Sequence, residues 1–222
     1  MRPWISLGMA FAALPCAGRA CELALLLAVD VSGSIDAAEY RLQMDGLALA
    51  LRDGIVVEAL VEQRAAVALM QWTGAGRQFI GAPWTSITSS EQAEDFADQV
   101  TAMPRRWHQY STAIGDALVA ADHAFENGPE CRRRVVDVSS DGISNEGTVI
   151  QEGRRALRAR GVTVNALVIE TDDSDLTGYF WENVITGSGA FVVTSNGFEE
   201  YSERIRQKLV REVAKQLAEL RN

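Results

Sequence analysis

LALLLAVDVSGSID, Leu23 to Asp36, decides the fold. Its first seven residues are an unbroken apolar run, the mark of a strand buried on both faces of a sheet. An acid and two hydroxyls then alternate at Asp30, Ser32 and Ser34. Asp36-Ala37-Ala38-Glu39 supplies a helix start, with Asp36 as N-cap and Glu39 reaching back to it. That helix carries Tyr40, Met44, Leu47 and Leu51 on one stripe and stops near Gly54. A buried strand, a polar loop and an amphipathic helix make the opening of an α/β fold.

Working outward, Ala65 to Trp72 reads as a second strand and Gln78 to Ile80 as a short third, with Gly74 and Gly76 suggesting a hairpin between them. Ser89 opens a helix running to about Met103, and Thr112 to Phe125 is helical. Arg134 to Ser139, Val162 to Ile169 and Phe191 to Thr194 are strands. Between them lie helices at Gly147 to Arg160 and around Tyr179 to Ile185. A last helix from about Phe198 sets Tyr201, Ile205, Leu209, Val213, Leu217 and Leu220 on one stripe. Strands alternating with helices imply a mostly parallel sheet covered on both faces. Such sheets bind ligands beyond the carboxyl ends of their strands, where Asp30 and Asp141 both fall.

Asp30, Ser32 and Ser34 offer oxygen and neither nitrogen nor sulfur, a palette for Mg²⁺, Mn²⁺ or Ca²⁺ rather than zinc. Taken alone, the same residues also suit a tight turn into a capped helix. The stretch AVDVSGSID resembles the first element of the metal-ion-dependent adhesion site of von Willebrand factor A domains. STAIGDAL resembles its second element, with Thr112 as the threonine and Gly115 as the glycine of the following turn. VVDVSSDGISN resembles its third, with Asp141 before Gly142; Ser139-Ser140 stands where a threonine is common. Within that group the chain is similar to bacterial secreted A-domain proteins.

The resemblance implies a single three-layer, Rossmann-like domain with strand order 3-2-1-4-5-6, helices on both faces, and a short antiparallel third strand at the edge. It also implies a divalent cation, Mg²⁺ or Mn²⁺ before Ca²⁺, held by Asp30, Ser32, Ser34, Thr112 and Asp141. Neutral hydroxyl donors leave the ion's charge incompletely quenched, so it takes an anionic oxygen from a partner's Asp or Glu. The function implied is metal-dependent protein binding, not catalysis. Trp107, His108 and Tyr110, in the loop before Thr112, would form the partner-binding rim, together with Arg105 and Arg106; these are residue types enriched at interface hot spots.

The first 20 residues read as a secretory signal peptide: Arg2, an apolar stretch from Trp4 to Leu14, then small residues at Gly18 and Ala20. The mature domain is then 21–222, periplasmic or secreted, with no segment for membrane insertion. The whole chain carries 21 basic and 30 acidic residues. Cleavage would leave 19 basic residues, a net charge of −11 that excludes nucleic acid as main partner. Two cysteines would remain, Cys21 nine residues before Asp30 and Cys131 ten before Asp141. If their strands are parallel neighbours, both thiols lie at one end of the sheet and form a disulfide in an oxidising compartment. In the strand order above, those strands are neighbours.

Two other classes compete. One is a metal-dependent hydrolase or phosphoryl-transfer enzyme using Asp30, but Ser32 stands where an aspartyl-phosphate enzyme would show a second Asp, and no Gly-x-Ser-x-Gly elbow occurs. The other is an intracellular subunit of an ATP-driven assembly, which the leader and the cysteine pair oppose. Thr171 to Asp175 reads as a solvated loop, with a second cation as the alternative. Arg132-Arg133-Arg134 reads as a solvated basic run at the far end of the sheet, and His123 as a structural residue within its helix.

Overall fold

The computed structural model describes residues 21–171 and 175–219, and side chains as far as Val213. The expected signal peptide lies outside the described residues, as do Asp172, Asp173 and Ser174 of the acidic loop and the side chains of Leu217 and Leu220.

Six strands form one sheet: β1 (Leu23–Asp30), β2 (Ala66–Trp72), β3 (Gln78–Ser86), β4 (Arg133–Ser140), β5 (Val162–Glu170) and β6 (Val192–Asn196). Their order is β3-β2-β1-β4-β5-β6, as expected, with β3 antiparallel to β2 and every other pairing parallel. All eight residues of β1 are buried, because helices cover both faces and alternate side chains enter different cores. Leu23, Leu25, Leu27 and Val29 pack in the core with α1 (Ala37–Leu51), α2 (Gly54–Glu62), α3 (Ser90–Ala102) and α7 (Tyr201–Glu219). Ala24, Leu26 and Ala28 pack with α4 (Ile114–Glu126), α5 (Ile150–Ala159) and α6 (Leu176–Asn183).

Two elements differ from the sequence reading. Helix α1 stops at Leu51, near Gly54 as expected, but a further helix, α2, which the sequence reading did not include, begins at Gly54, because the Asp53 carboxylate accepts from the N–H groups of Ile55 and Val56 and caps it. The edge strand β3 is not short. It runs nine residues, on past Ile80 through Gly81 and Pro83. An edge strand tolerates proline, and the pairing shifts register on either side of Leu69 to accommodate the bend. At its start, α1 has the expected reciprocal cap: Asp36 accepts from Ala38 and Glu39, while Glu39 accepts from the Asp36 N–H at 2.6 Å.

Cys21 and Cys131 form a disulfide, their Cα atoms 4.6 Å apart. The thiols meet because β1 and β4 are neighbours in register, Leu23 opposite Arg133, so the residues leading into them run side by side. Among the described residues no helix is long and apolar enough to cross a membrane.

Candidate metal centre

The β1–β4 register that joins the cysteines at one end governs the other. Val29 pairs with Ser139, so Asp30 ends beside Ser140 and Asp141. Asp30 is fully buried; one carboxylate oxygen accepts from the Ser32 N–H at 2.7 Å and the other from the Ser140 hydroxyl at 2.5 Å. The Ser34 hydroxyl donates to Asp141 Oδ1 at 2.8 Å and lies 3.4 Å from the Ser32 hydroxyl. The structure thus brings Asp30, Ser32, Ser34 and Asp141 into one connected set.

Thr112 enters from the loop before α4. Its N–H donates to Asn145 Oδ1 and its carbonyl accepts from the Asn145 N–H, both at 2.9 Å, which ties it to the segment following Asp141. Its hydroxyl oxygen lies 3.8 Å from where a side chain on Gly142 would begin. That hydroxyl is not spent on capping. The N-cap residue of α4 is Ala113, and Ser144 Oγ accepts from the Ile114 N–H instead. Gly115 sits inside α4 and not in a turn; a side chain there would lie 1.8 Å from the Thr148 carbonyl oxygen, so it permits close approach of the 148 loop.

The loop from Met103 to Ser111 backs this set. Arg105 Nη2 donates to the carbonyls of Val31 at 3.1 Å and Ser32 at 2.8 Å, and the Gly33 N–H donates to the Tyr110 carbonyl at 2.8 Å. The two loops pack so closely that a side chain at Gly33 would meet Gln109 Cα at 3.0 Å. Buried Gln71 holds the loop from below, donating to the Pro104 carbonyl and accepting from the Arg106 N–H. Of the expected rim residues, Tyr110 is 41% exposed beneath the Arg77 guanidinium, 4.0 Å from its ring centre. His108 is exposed. Trp107 is half-buried, packed against the core, and contributes one face to Arg106, which also stacks on Phe79 at 4.0 Å. His123, read as structural, lies exposed in the last turn of α4.

Charge is unbalanced here. Burial first, then the Asp141 charge, pushes the Asp30 carboxyl up to about 7, against the opposing hydrogen bonds from Ser140 and Ser32. Burial also lifts Asp141 above the usual carboxylate range, with Ser34 opposing it. Among the described residues neither carboxylate has an ion-pair partner. Two carboxylates and three hydroxyls fit a hard divalent cation, and no group of three or more His, Cys, Asp or Glu exists among the described residues to compete for one.

Sequence reasoning gave Ser140 no role, although it donates to Asp30, and it placed Arg105 on the rim where it clamps the backbone of the Asp30 loop. Asn145 was passed over altogether. A polar residue within a few positions of each motif was the available signal, and polar residues are common enough in loops to carry little weight alone.

Solved structures share this architecture. Proximal thread matrix protein 1 from the mussel byssus, in a structure described as having a zinc-occupied MIDAS motif, is 23% identical with a TM-score of 0.68, over 88% of this chain and 48% of that one. A von Willebrand factor type A protein from Catenulispora acidiphila is 15% identical with a TM-score of 0.62, over 86% and 43%. The pilus adhesin SpaC from Lactobacillus rhamnosus GG is 11% identical with a TM-score of 0.63, over 90% and 31%. The chain therefore spans less than half the length of each. These likenesses establish the von Willebrand factor type A fold. No curated protein matches the sequence. The family described as "Protein of unknown function (DUF1194)" matches residues 20–217, and the chain belongs to it.

Proposed function

We propose that the chain is an exported, metal-dependent protein-binding module. One divalent cation, Mg²⁺ or Mn²⁺, is held by Asp30, Ser32, Ser34, Thr112 and Asp141 and bridges to a carboxylate of a partner. The observation that carries this reading is the connected oxygen set at the sheet's carboxyl edge, in which two carboxylates have no ion-pair partner among the described residues. A cation would relieve the charge that lifts Asp30, and hydroxyl donors would leave it electrophilic toward one more anionic oxygen. Both Asp30 oxygens are engaged by its own surroundings, which favours holding a ligand over acting as a nucleophile.

The rim suits an acidic partner. Arg77 and Arg106 form no ion pair among the described residues, and each lies over an exposed ring, Tyr110 and Phe79 respectively. On a chain of net charge −9, two uncompensated guanidiniums beside the site complement an acidic surface. Export of a mature 21–222 domain rests on the leader pattern and is supported by the Cys21–Cys131 disulfide.

Calorimetric titration of Mg²⁺ and Mn²⁺ into chelator-treated protein tests the reading. One saturable site is expected, lost in Asp30→Ala and in Thr112→Ala while the fold is retained. Metal binding that survives both substitutions would remove the site from this location.

A further inference from the structure

At the opposite end of the sheet lies a cleft of about 810 Å³, bounded by α5, the start of β5, and the α6–β6 connection. Arg154 and Arg158, one turn apart on α5, line it, and no Asp or Glu does. Neither arginine forms an ion pair among the described residues. Arg154 Nη1 donates to the Glu182 carbonyl at 2.9 Å, which sets its guanidinium across the end of α6. A third guanidinium stands close by. Arg134, the second residue of β4, donates to the Arg160 carbonyl at 2.6 Å and lies 3.9 Å from where a side chain on Gly161 would begin. The carbonyls of Arg158, Arg160 and Glu182 are thus each engaged, Arg158 O by the Gly161 N–H.

The far wall is the loop Thr186-Gly187-Ser188-Gly189. Gly187 has φ of 99° and Gly189 of 66°, a backbone that side-chain-bearing residues rarely adopt. A side chain on Gly187 would also come within 2.8 Å of Thr163, so glycine lets the loop close onto β5. The Val164 N–H to Thr186 carbonyl bond at 2.8 Å fixes it there. The main-chain N–H groups of Gly187 and Ser188 take part in no hydrogen bond among the described residues. Trp181, on α6, forms the remaining wall and is 59% exposed; among the large apolar side chains of the described residues only Leu49 and Val149 are more so.

We infer that this cleft binds a small anion carried on a planar ring, the anion held by Arg154, Arg158 and the 187–188 loop, and the ring laid on Trp181. Guanidiniums give charge-assisted, bidentate recognition of phosphate or carboxylate, and an exposed indole supplies a face for stacking. The inference is independent of the metal site, which lies beyond the other ends of the strands.

The test uses chelator-treated protein, so that the Asp30 site cannot take part, and titrates phenyl phosphate, inorganic phosphate and benzoate by calorimetry. Phenyl phosphate should bind one-to-one and about fivefold more tightly than inorganic phosphate. Arg154→Gln with Arg158→Gln should weaken all three ligands about tenfold or more. Trp181→Ala should abolish the advantage of phenyl phosphate and leave inorganic phosphate unchanged. The order of phenyl phosphate and benzoate then assigns a tetrahedral or a planar anion. No saturable binding below about 10 mM, or binding indifferent to the arginine pair, would overturn the assignment. Circular dichroism melts of each variant separate lost binding from lost structure.

Discussion

Two buried aspartates on neighbouring strands, Asp30 on β1 and Asp137 on β4, are both pushed up to about 7, and burial is the first cause for each. Their surroundings differ. Asp137 pairs with the fully buried Lys208 of α7, whose ammonium also lies 2.8 Å from Glu212. Glu212 in turn accepts from Asn165 at 2.8 Å. Burial works to lower Lys208, but Asp137 and Glu212 outweigh it and hold the ammonium above its ordinary range. Asp30 has instead hydroxyls, an N–H and a second carboxylate. In one place the chain supplies its own cation and fastens α7 to the sheet; in the other it gathers donors around none. The first arrangement is an internal ion pair. The second is what a site for an external cation requires.

The sharpest way to break that contrast is Lys208→Met. It leaves two buried carboxylates without a counter-charge and should cost about 3–5 kcal/mol in urea unfolding. Adding Asp137→Asn and Glu212→Gln should recover most of the loss; a cost from Lys208→Met below about 1 kcal/mol would deny the ammonium its role.

Asp30→Asn should act in the opposite direction on chelator-treated protein. The folded pKa of about 7 stands above the unfolded value near 3.8, so the native state binds the extra proton between them. Stability is therefore lost as pH rises from about 4 through 7, and the asparagine variant should be spared that loss, gaining up to about 4 kcal/mol at pH 8 and nothing at pH 3. Mg²⁺ should then stabilise the wild type at pH 8 and leave the variant unmoved. A variant less stable than the wild type at pH 8 would mean that Asp30 is compensated from within, as Asp137 is.

Arg105→Ala removes two charge-assisted bonds to the Asp30 loop. It should lower stability by about 1–2 kcal/mol and weaken metal binding about tenfold, read by melting and calorimetry respectively. Ser34→Ala should scarcely move the melt, by less than about 0.5 kcal/mol because the residue is exposed, yet weaken the metal at least about tenfold. Equal small effects on both readouts would make Ser34 a turn residue.

The fold was legible because the seven apolar residues from Leu23 to Val29 demand two covered faces, and the strand–helix alternation then leaves few topologies. Asp30, Ser32, Ser34 and Asp141 stood out by falling at strand ends, whereas Thr112, in the loop before α4, was reached only through the family resemblance. The Lys208 group was not. Lys208 and Glu212 are four apart on a helix whose apolar stripe already accounts for its packing, so nothing in the pattern marks them as buried. Asp137, a charge set between Val135-Val136 and Val138 in a strand, was the clue that a buried partner must exist, but nothing in the chain said where. The basic run at Arg132 to Arg134 likewise read as solvated, because its meeting with α5 depends on tertiary packing.

The Cys21–Cys131 bridge has a mechanical consequence. Tension applied at Cys21 and leaving the chain beyond Cys131 passes through the bond and not through the 110-residue separation it closes. Roughly 370 Å of extensible contour is thereby kept out of the load path. Strand β1, which carries Asp30, is inside that protected loop and is anchored at its base to the root of the strand that presents Asp141. A pull would thus reach both carboxylates through one covalent footing.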